Sequence, residues 1–237
     1  MRSFAIPMSS PTDEDVEYIR ELLGFDVQCP SSCLFARNKY GALVFAITPL
    51  SPLHWSRQRE WPWCIRQAEL EPHHVCLDVG GGWAVFKYPV ARRCKELISL
   101  EIDKPSIEKA EVSIRKFGFQ NIKQILGDGR KIPFQGNYFD RIFLISVMEH
   151  IEHGRDDCLN EIKRVLKPGG LAFVTMDVVV SGSLANNFYV DPKECDRLLE
   201  QLDIHGVDEG RASVAVTSEE KVDIIVIMAQ YYKPLES

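Results

Sequence analysis

The sequence predicts an α/β fold: a doubly wound, mostly parallel sheet with helices on both faces, preceded by an accessory segment. Three observations predict it. From Val75 onward, short apolar runs alternate with longer segments of helical period. The first run ends in Gly80-Gly81-Gly82, a cluster that lets backbone approach a ligand closely. The last two runs, 213–217 and 222–231, are joined by Ser218-Glu219-Glu220-Lys221, which is too short for a crossover helix, so this pair is antiparallel.

Residues 1–70 form the accessory segment and 71–237 the main domain. In the accessory segment, 11–23 reads as a helix: Ser10 or Thr12 caps it, Val16, Ile19 and Leu23 share a face, and Gly24 ends it. A strand follows at 40–47. Pro49, Pro52 and Pro62 then punctuate a stretch carrying Trp55, Trp61 and Trp63. The main domain begins with a buried strand at 75–79, a helix at 84–95 and a strand at 97–102. Next comes a helix at 105–117, with Ile107, Ala110 and Ile114 on one side and Gly118 at its end. A strand at 122–126 leads to a turn at Gly136-Asn137 and a strand at 141–147. The helix 156–166 turns Leu159, Ile162 and Leu166 inward and is stopped by Pro168-Gly169-Gly170, before a strand at 171–176.

Composition narrows the function. Hydrophobic residues make up 45% of the 237 residues and charged residues 26%, the balance of a soluble globular protein. The net charge of −6 repels phosphate backbones, so no nucleic-acid partner is expected. The longest apolar runs, 42–47 and 224–229, are too short to span a bilayer as helices, and no secretory apolar region is seen. Seven scattered cysteines, with Cys76 inside an apolar run, suggest a reducing, cytoplasmic setting. Cys29 and Cys33 lack a second pair for zinc, so no metal is expected there.

Open α/β sheets bind ligands beyond the carboxyl ends of their strands. The first such loop is Asp78-Val79-Gly80-Gly81-Gly82-Trp83-Ala84. Gly80 and Gly82 fit a dinucleotide fingerprint, but Val85 stands at its third glycine, so the loop alone leaves the nucleotide class open. Glu101 ends the second strand, where an acid can accept from both ribose hydroxyls. Asp128 follows the third strand, where a carboxylate can accept from an adenine amino group. The fourth strand ends in Ser146-Val147-Met148-Glu149-His150.

With these segments in order, the chain resembles the class I S-adenosylmethionine (SAM)-dependent methyltransferases. The matching elements are Leu77-Asp78-Val79-Gly80-Gly81-Gly82, Leu100-Glu101-Ile102, Gly127-Asp128-Gly129, Ile132-Pro133-Phe134, Phe139-Asp140 and Arg164-Val165-Leu166-Lys167-Pro168-Gly169-Gly170. Each is weak alone; six in the family's order and spacing, over roughly 70–180, are specific together. The resemblance implies a Rossmann-like seven-stranded sheet with an antiparallel last strand, and SAM as cofactor, released as S-adenosylhomocysteine. It implies that Asp78 and the Gly80, Gly81 and Gly82 backbone hold the methionine part. Glu101 would bind the ribose, Ile102 pack on the adenine, Asp128 take its amino group beside Gly129, and Ser146 lie near the donor methyl. Ala84 stands where many members have a third glycine.

Methyl transfer to a hydroxyl also needs proton removal, and His150, at the lip of the fourth strand, is the candidate base. Asp177, after the fifth strand, is the candidate for orienting it. Glu149-His150 also resembles a metal-using subgroup, but Ser146 stands where that subgroup has a further glutamate, so no metal is expected. Acceptor contacts fall on 54–63 and 181–189; Arg57, Arg59, Trp61 and Trp63 either close over the site or anchor the segment. The expected activity is methyl transfer to a small-molecule or glycan acceptor at oxygen. The alternatives are a protein methyltransferase or a non-catalytic SAM-binding regulator. The oligomeric state has no sequence signature.

Overall fold

Alternation along the strands dictates the layering. In the strand 75–79, Cys76 points to one face and Leu77 and Val79 to the other, so helices are needed on both sides. The computed structural model describes residues 36–37, 43–44, 57–84, 86–181, 189–204, 207–215 and 221–235. The elements are β1 (Ala36–Arg37), β2 (Leu43–Val44), α1 (Arg57–Gln67), β3 (Val75–Val79), α2 (Lys87–Ala91), β4 (Glu96–Glu101), α3 (Lys104–Lys116), β5 (Ile122–Leu126) and β6 (Phe139–Ile145). A short 3-10 turn (Met148–His150) precedes α4 (Arg155–Val165), β7 (Leu166–Ser181), α5 (Pro192–Gln201), β8 (Val207–Ala215) and β9 (Lys221–Tyr232).

β1 and β2 form a two-stranded antiparallel ladder; β2 falls within the strand expected at 40–47. The main sheet has seven strands in the order β5-β4-β3-β6-β7-β9-β8. β3 to β7 run parallel, and only β9 is reversed, lying between β7 and β8. The expected mostly parallel sheet with an antiparallel last strand is the sheet observed. One face packs Leu77, Ile142 and Leu144 against Leu159, Ile162 and Val165 of α4 and Leu198 of α5. The other packs Cys76, Phe143 and Phe173 against Trp61 and Ile65 of α1, Val90 of α2 and Ile114 of α3. No helix among the described residues is long and apolar enough to cross a membrane.

Several elements differ from the sequence expectation for physical reasons. The helix expected at 84–95 is only Lys87–Ala91. Ala84 still belongs to the glycine loop, its N–H donating to Gly81 O at 3.1 Å. At the other end Asn121 Nδ2 donates to Ala91 O and Cys94 O and closes the helix early. The fourth strand of the expectation stops at Ile145, because Ser146 takes φ +49°, a left-handed turn that ends pairing. β7 is longer than expected: it starts at Leu166, pairs with Phe139, slips register, and resumes at Leu171 beyond Gly169, whose φ is +79°. The family-like elements brace one another: Glu161 accepts from Ile132 N–H at 2.7 Å, while Arg164 donates to Ile132 O and Phe134 O. Lys167 pairs with Asp140, which also accepts from Val75 N–H at 2.8 Å. The helix expected at 11–23, Cys29, Cys33, Trp55 and residues 182–188 of the expected acceptor stretch lie outside the described residues.

Candidate active site

A cleft of about 470 Å³ opens at the carboxyl ends of β3, β4, β5 and β6, where an open α/β sheet places its ligands. Gly80, Glu101, Ile102, Asp128, Gly129, Ser146 and His150 all line it, so most of the expected residues come together. Asp78, Gly81, Gly82 and Asp177 do not line it. The first three build its floor, and Asp177 stands behind its donor end, inside β7 rather than after it.

The floor is a turn built on buried charge. Gly80 has φ +67°, and its N–H donates to Leu100 O at 2.7 Å. A Cβ on Gly81 would lie 1.9 Å from Asp78 Oδ2, so glycine is required for the carboxylate to tuck beneath the loop. Ser99 Oγ donates to that carboxylate at 3.4 Å. Lys87, fully buried, donates through Nζ to the carbonyls of Gly81 (3.0 Å), Gly82 (2.7 Å) and Ala84 (3.1 Å). Burial pulls its pKa down to about 8, opposed by Asp78 and Glu101. Burial likewise raises the Asp78 pKa, which Lys87 opposes.

Glu101 shapes the middle of the cleft. Its Oε1 accepts from Ile102 N–H (2.8 Å) and Asp103 N–H (2.9 Å), and its Oε2 accepts from Gly82 N–H (2.9 Å). A carboxylate offers about four lone-pair sites, so Oε2 keeps room for a ligand hydroxyl. Next to it Ile102 is 65% exposed, an apolar wall with a free face toward the cleft. Asp128 is held by Arg130, whose Nε and Nη2 donate to its carboxylate at 3.0 and 2.7 Å, keeping its pKa below the usual range. Arg130 Nη1 also reaches His153 O at 3.0 Å and ties the two rims together.

The donor end is the most charged part. Ser146 Oγ donates to Glu60 Oε2 at 3.1 Å and also meets the Arg57 guanidinium. Glu60, fully buried, accepts from Thr175 Oγ1 at 2.5 Å and pairs with Arg57. Glu149, 2% exposed, accepts from Asp177 N–H at 3.4 Å. Burial and then the neighbouring carboxylate push the Glu149 pKa well up, and burial holds Asp177 at about 7 against the pull of Arg57. His150 is open to solvent at the rim while its ring stands among packed neighbours. Their desolvation, and then Arg57, lower its pKa, leaving a neutral imidazole near pH 7.

Glu60 and Lys87 were not singled out by the sequence. Lys87 left one trace: it lies between Phe86 and Val90 on an inward helix face, where a charge needs partners. Glu60 left none. Of the expected flanking residues, Trp61 packs on Phe86 in the core, and Trp63 meets Phe173 edge-on, so both anchor α1. His73 and His74 sit before β3, at the opposite end of the sheet.

Comparison with known proteins agrees with this geometry. Residues 77–174 match the family model described as a methyltransferase domain. The chain is 28% identical over 137 residues to Methyltransferase GfsG of Streptomyces halstedii, covering 57% of this chain and 49% of that one. It is 29% identical over 85 residues to a protein-L-isoaspartate O-methyltransferase of Rhodopseudomonas palustris (strain BisA53), covering 36% and 40%. The chain thus spans about half or less of the curated relatives it matches. The YcgJ protein of Bacillus subtilis superposes with a TM-score of 0.65 at 16% identity, over 75% of this chain and 99% of that one, a likeness of fold. Residues 77–174 therefore carry a SAM-dependent methyltransferase domain.

Proposed function

We propose that the protein transfers a methyl group from SAM to an oxygen of a small-molecule or glycan acceptor. The observation that carries this reading is one cleft lined by His150, Glu101 and Gly80 together. The residues fit the cofactor: the Gly80–Gly82 turn over Asp78 suits the methionine part, the free lone pair of Glu101 a ribose hydroxyl, and the exposed face of Ile102 an adenine ring. Asp128 and the Gly129 backbone would meet the adenine edge, and Ser146 the methionine end.

When bound, SAM supplies a methyl group already activated on a sulfonium centre. The chain's own task is alignment and proton removal. His150, neutral near pH 7, accepts the acceptor's hydroxyl proton at the lip. Asp177 acts as a positioning residue: its N–H holds Glu149, which precedes His150 in the same 3-10 turn. A protein acceptor is the second reading, favoured by the match to the isoaspartate methyltransferase.

The test is calorimetric titration with SAM and S-adenosylhomocysteine, followed by turnover on a panel of hydroxylated small molecules, sugars and isoaspartyl peptides. Saturable binding weakened by Glu101→Ala, with turnover of a hydroxyl acceptor, supports the proposal. A folded protein that binds neither adenosyl ligand overturns it.

A further inference from the structure

Behind the donor end of the cleft, three elements bring three carboxylates together: Glu60 from α1, Glu149 from the 3-10 turn and Asp177 from β7. Arg57 is the cation that faces them, and Tyr189, His150 and Cys64 are neighbouring titratable groups.

The carboxylates are unequally satisfied. Glu60 is engaged by Thr175, Ser146 and Arg57. Glu149 Oε2 and Asp177 Oδ1 are buried and, among the described residues, have no hydrogen-bond partner. A buried carboxylate oxygen without a donor is costly, and such groups are characteristically completed by a ligand, an ion or water. Arg57 is already committed to Glu60 and Ser146, so its donors do not complete the two orphaned oxygens.

We infer that Glu149 and Asp177 form an ammonium-binding subsite for the methyl acceptor of the methyltransferase proposed here. The acceptor class is then an amino alcohol or amino sugar, with its protonated amine beside the hydroxyl to be methylated. An ammonium group donates three hydrogen bonds and carries the charge that both unpartnered oxygens lack. Held protonated, it has no electron pair for attack, so the neighbouring oxygen remains the nucleophile. Glu149 immediately precedes His150 in the 3-10 turn, and His150 lines the cleft.

The experiment uses the full chain saturated with S-adenosylhomocysteine. Trans-2-aminocyclohexanol and trans-1,2-cyclohexanediol are titrated into it; they match in size and differ in the ammonium group. The expected result is amine binding at least tenfold tighter than diol binding. That gap should close in Asp177→Asn and Glu149→Gln, with S-adenosylhomocysteine affinity unchanged. Equal affinities, no saturation by the amine, or a gap that persists in both variants overturns the subsite. The wild-type comparison does not depend on either variant folding. Failure of the methyltransferase reading looks different, because the protein would then not take up S-adenosylhomocysteine at all.

Discussion

The carboxylate of Glu60 accepts a hydrogen bond from the Thr175 hydroxyl at 2.5 Å, across 115 positions of sequence. This bond fastens α1 to the middle of β7, at the place where the cleft ends. The helix is therefore part of the site and not merely a cover for the sheet. Glu60→Ala should strip Arg57 of its hydrogen-bonded carboxylate and cost about 3–5 kcal/mol, as for other broken buried ion pairs. Urea unfolding monitored by tryptophan fluorescence would measure it; a change near zero would mean that α1 is held by its apolar face alone.

Lys87 should matter more for the cofactor than for the fold. Its ammonium gathers three loop carbonyls around one point. Lys87→Met preserves length and removes the donors, so S-adenosylhomocysteine affinity should fall about tenfold or more, the effect of losing a charged hydrogen-bonding group. With its pKa near 8, the wild-type affinity should also decline above that pH, while the variant shows no such decline. Calorimetry between pH 7 and 9 checks both statements.

Asp177 makes the fold sensitive to pH. Its pKa is about 7 in the folded chain against about 3.9 when unfolded. The native state therefore binds the extra proton, and stability falls as pH rises from about 4 to about 7, then levels off. Asp177→Asn removes the ionisation that drives this loss. The variant should gain on wild type as pH rises through this window, by up to roughly 4 kcal/mol at about 1.4 kcal/mol per pKa unit. Thermal melts at pH 5 and pH 8 give the comparison, and a gain that is the same at both pH values would refute it.

His150→Ala should separate chemistry from binding. Turnover should drop by about 10²–10⁴-fold, the range for losing a general base, with adenosyl-ligand affinity within about twofold because the cofactor floor is untouched. The acid limb of the wild-type pH–rate profile should fall below the ordinary histidine value of about 6.5, since desolvation and Arg57 both favour the neutral ring. Unchanged turnover would move the proton to another acceptor.

The parts of this molecule that could be read without coordinates are those set by neighbours in sequence. Cys76 to Val79 is an unbroken apolar and acidic run ending at glycine, so both strand and loop are local facts. Gly118 and Asn137 announce their positive φ through residue type. Glu101, Asp128 and His150 follow strands whose order is itself legible, so their convergence was legible too. The charged shell behind them was not. Glu60 meets Ser146 and Thr175 only because α1 lies against β7, and nothing near Arg57-Gln58-Arg59-Glu60 records that packing. The shortened α2 was hidden for the opposite reason. Its flanking residues suit a helix, but the glycine loop and Asn121 claim the backbone at both ends.

The placement of β9 has a consequence for synthesis. β8 precedes it in the chain, yet among the described residues pairs only with β9, and β9 sits between β8 and β7. A nascent chain ending near residue 215 therefore carries a strand with no partner, beside a β7 edge that is also bare. Both edges stay open to other chains until the final dozen residues of the sheet leave the ribosome and slot between them. Truncation within 221–232 should thus show up as aggregation on the polysome more than as lost cofactor binding, since the cleft is built from strands completed much earlier.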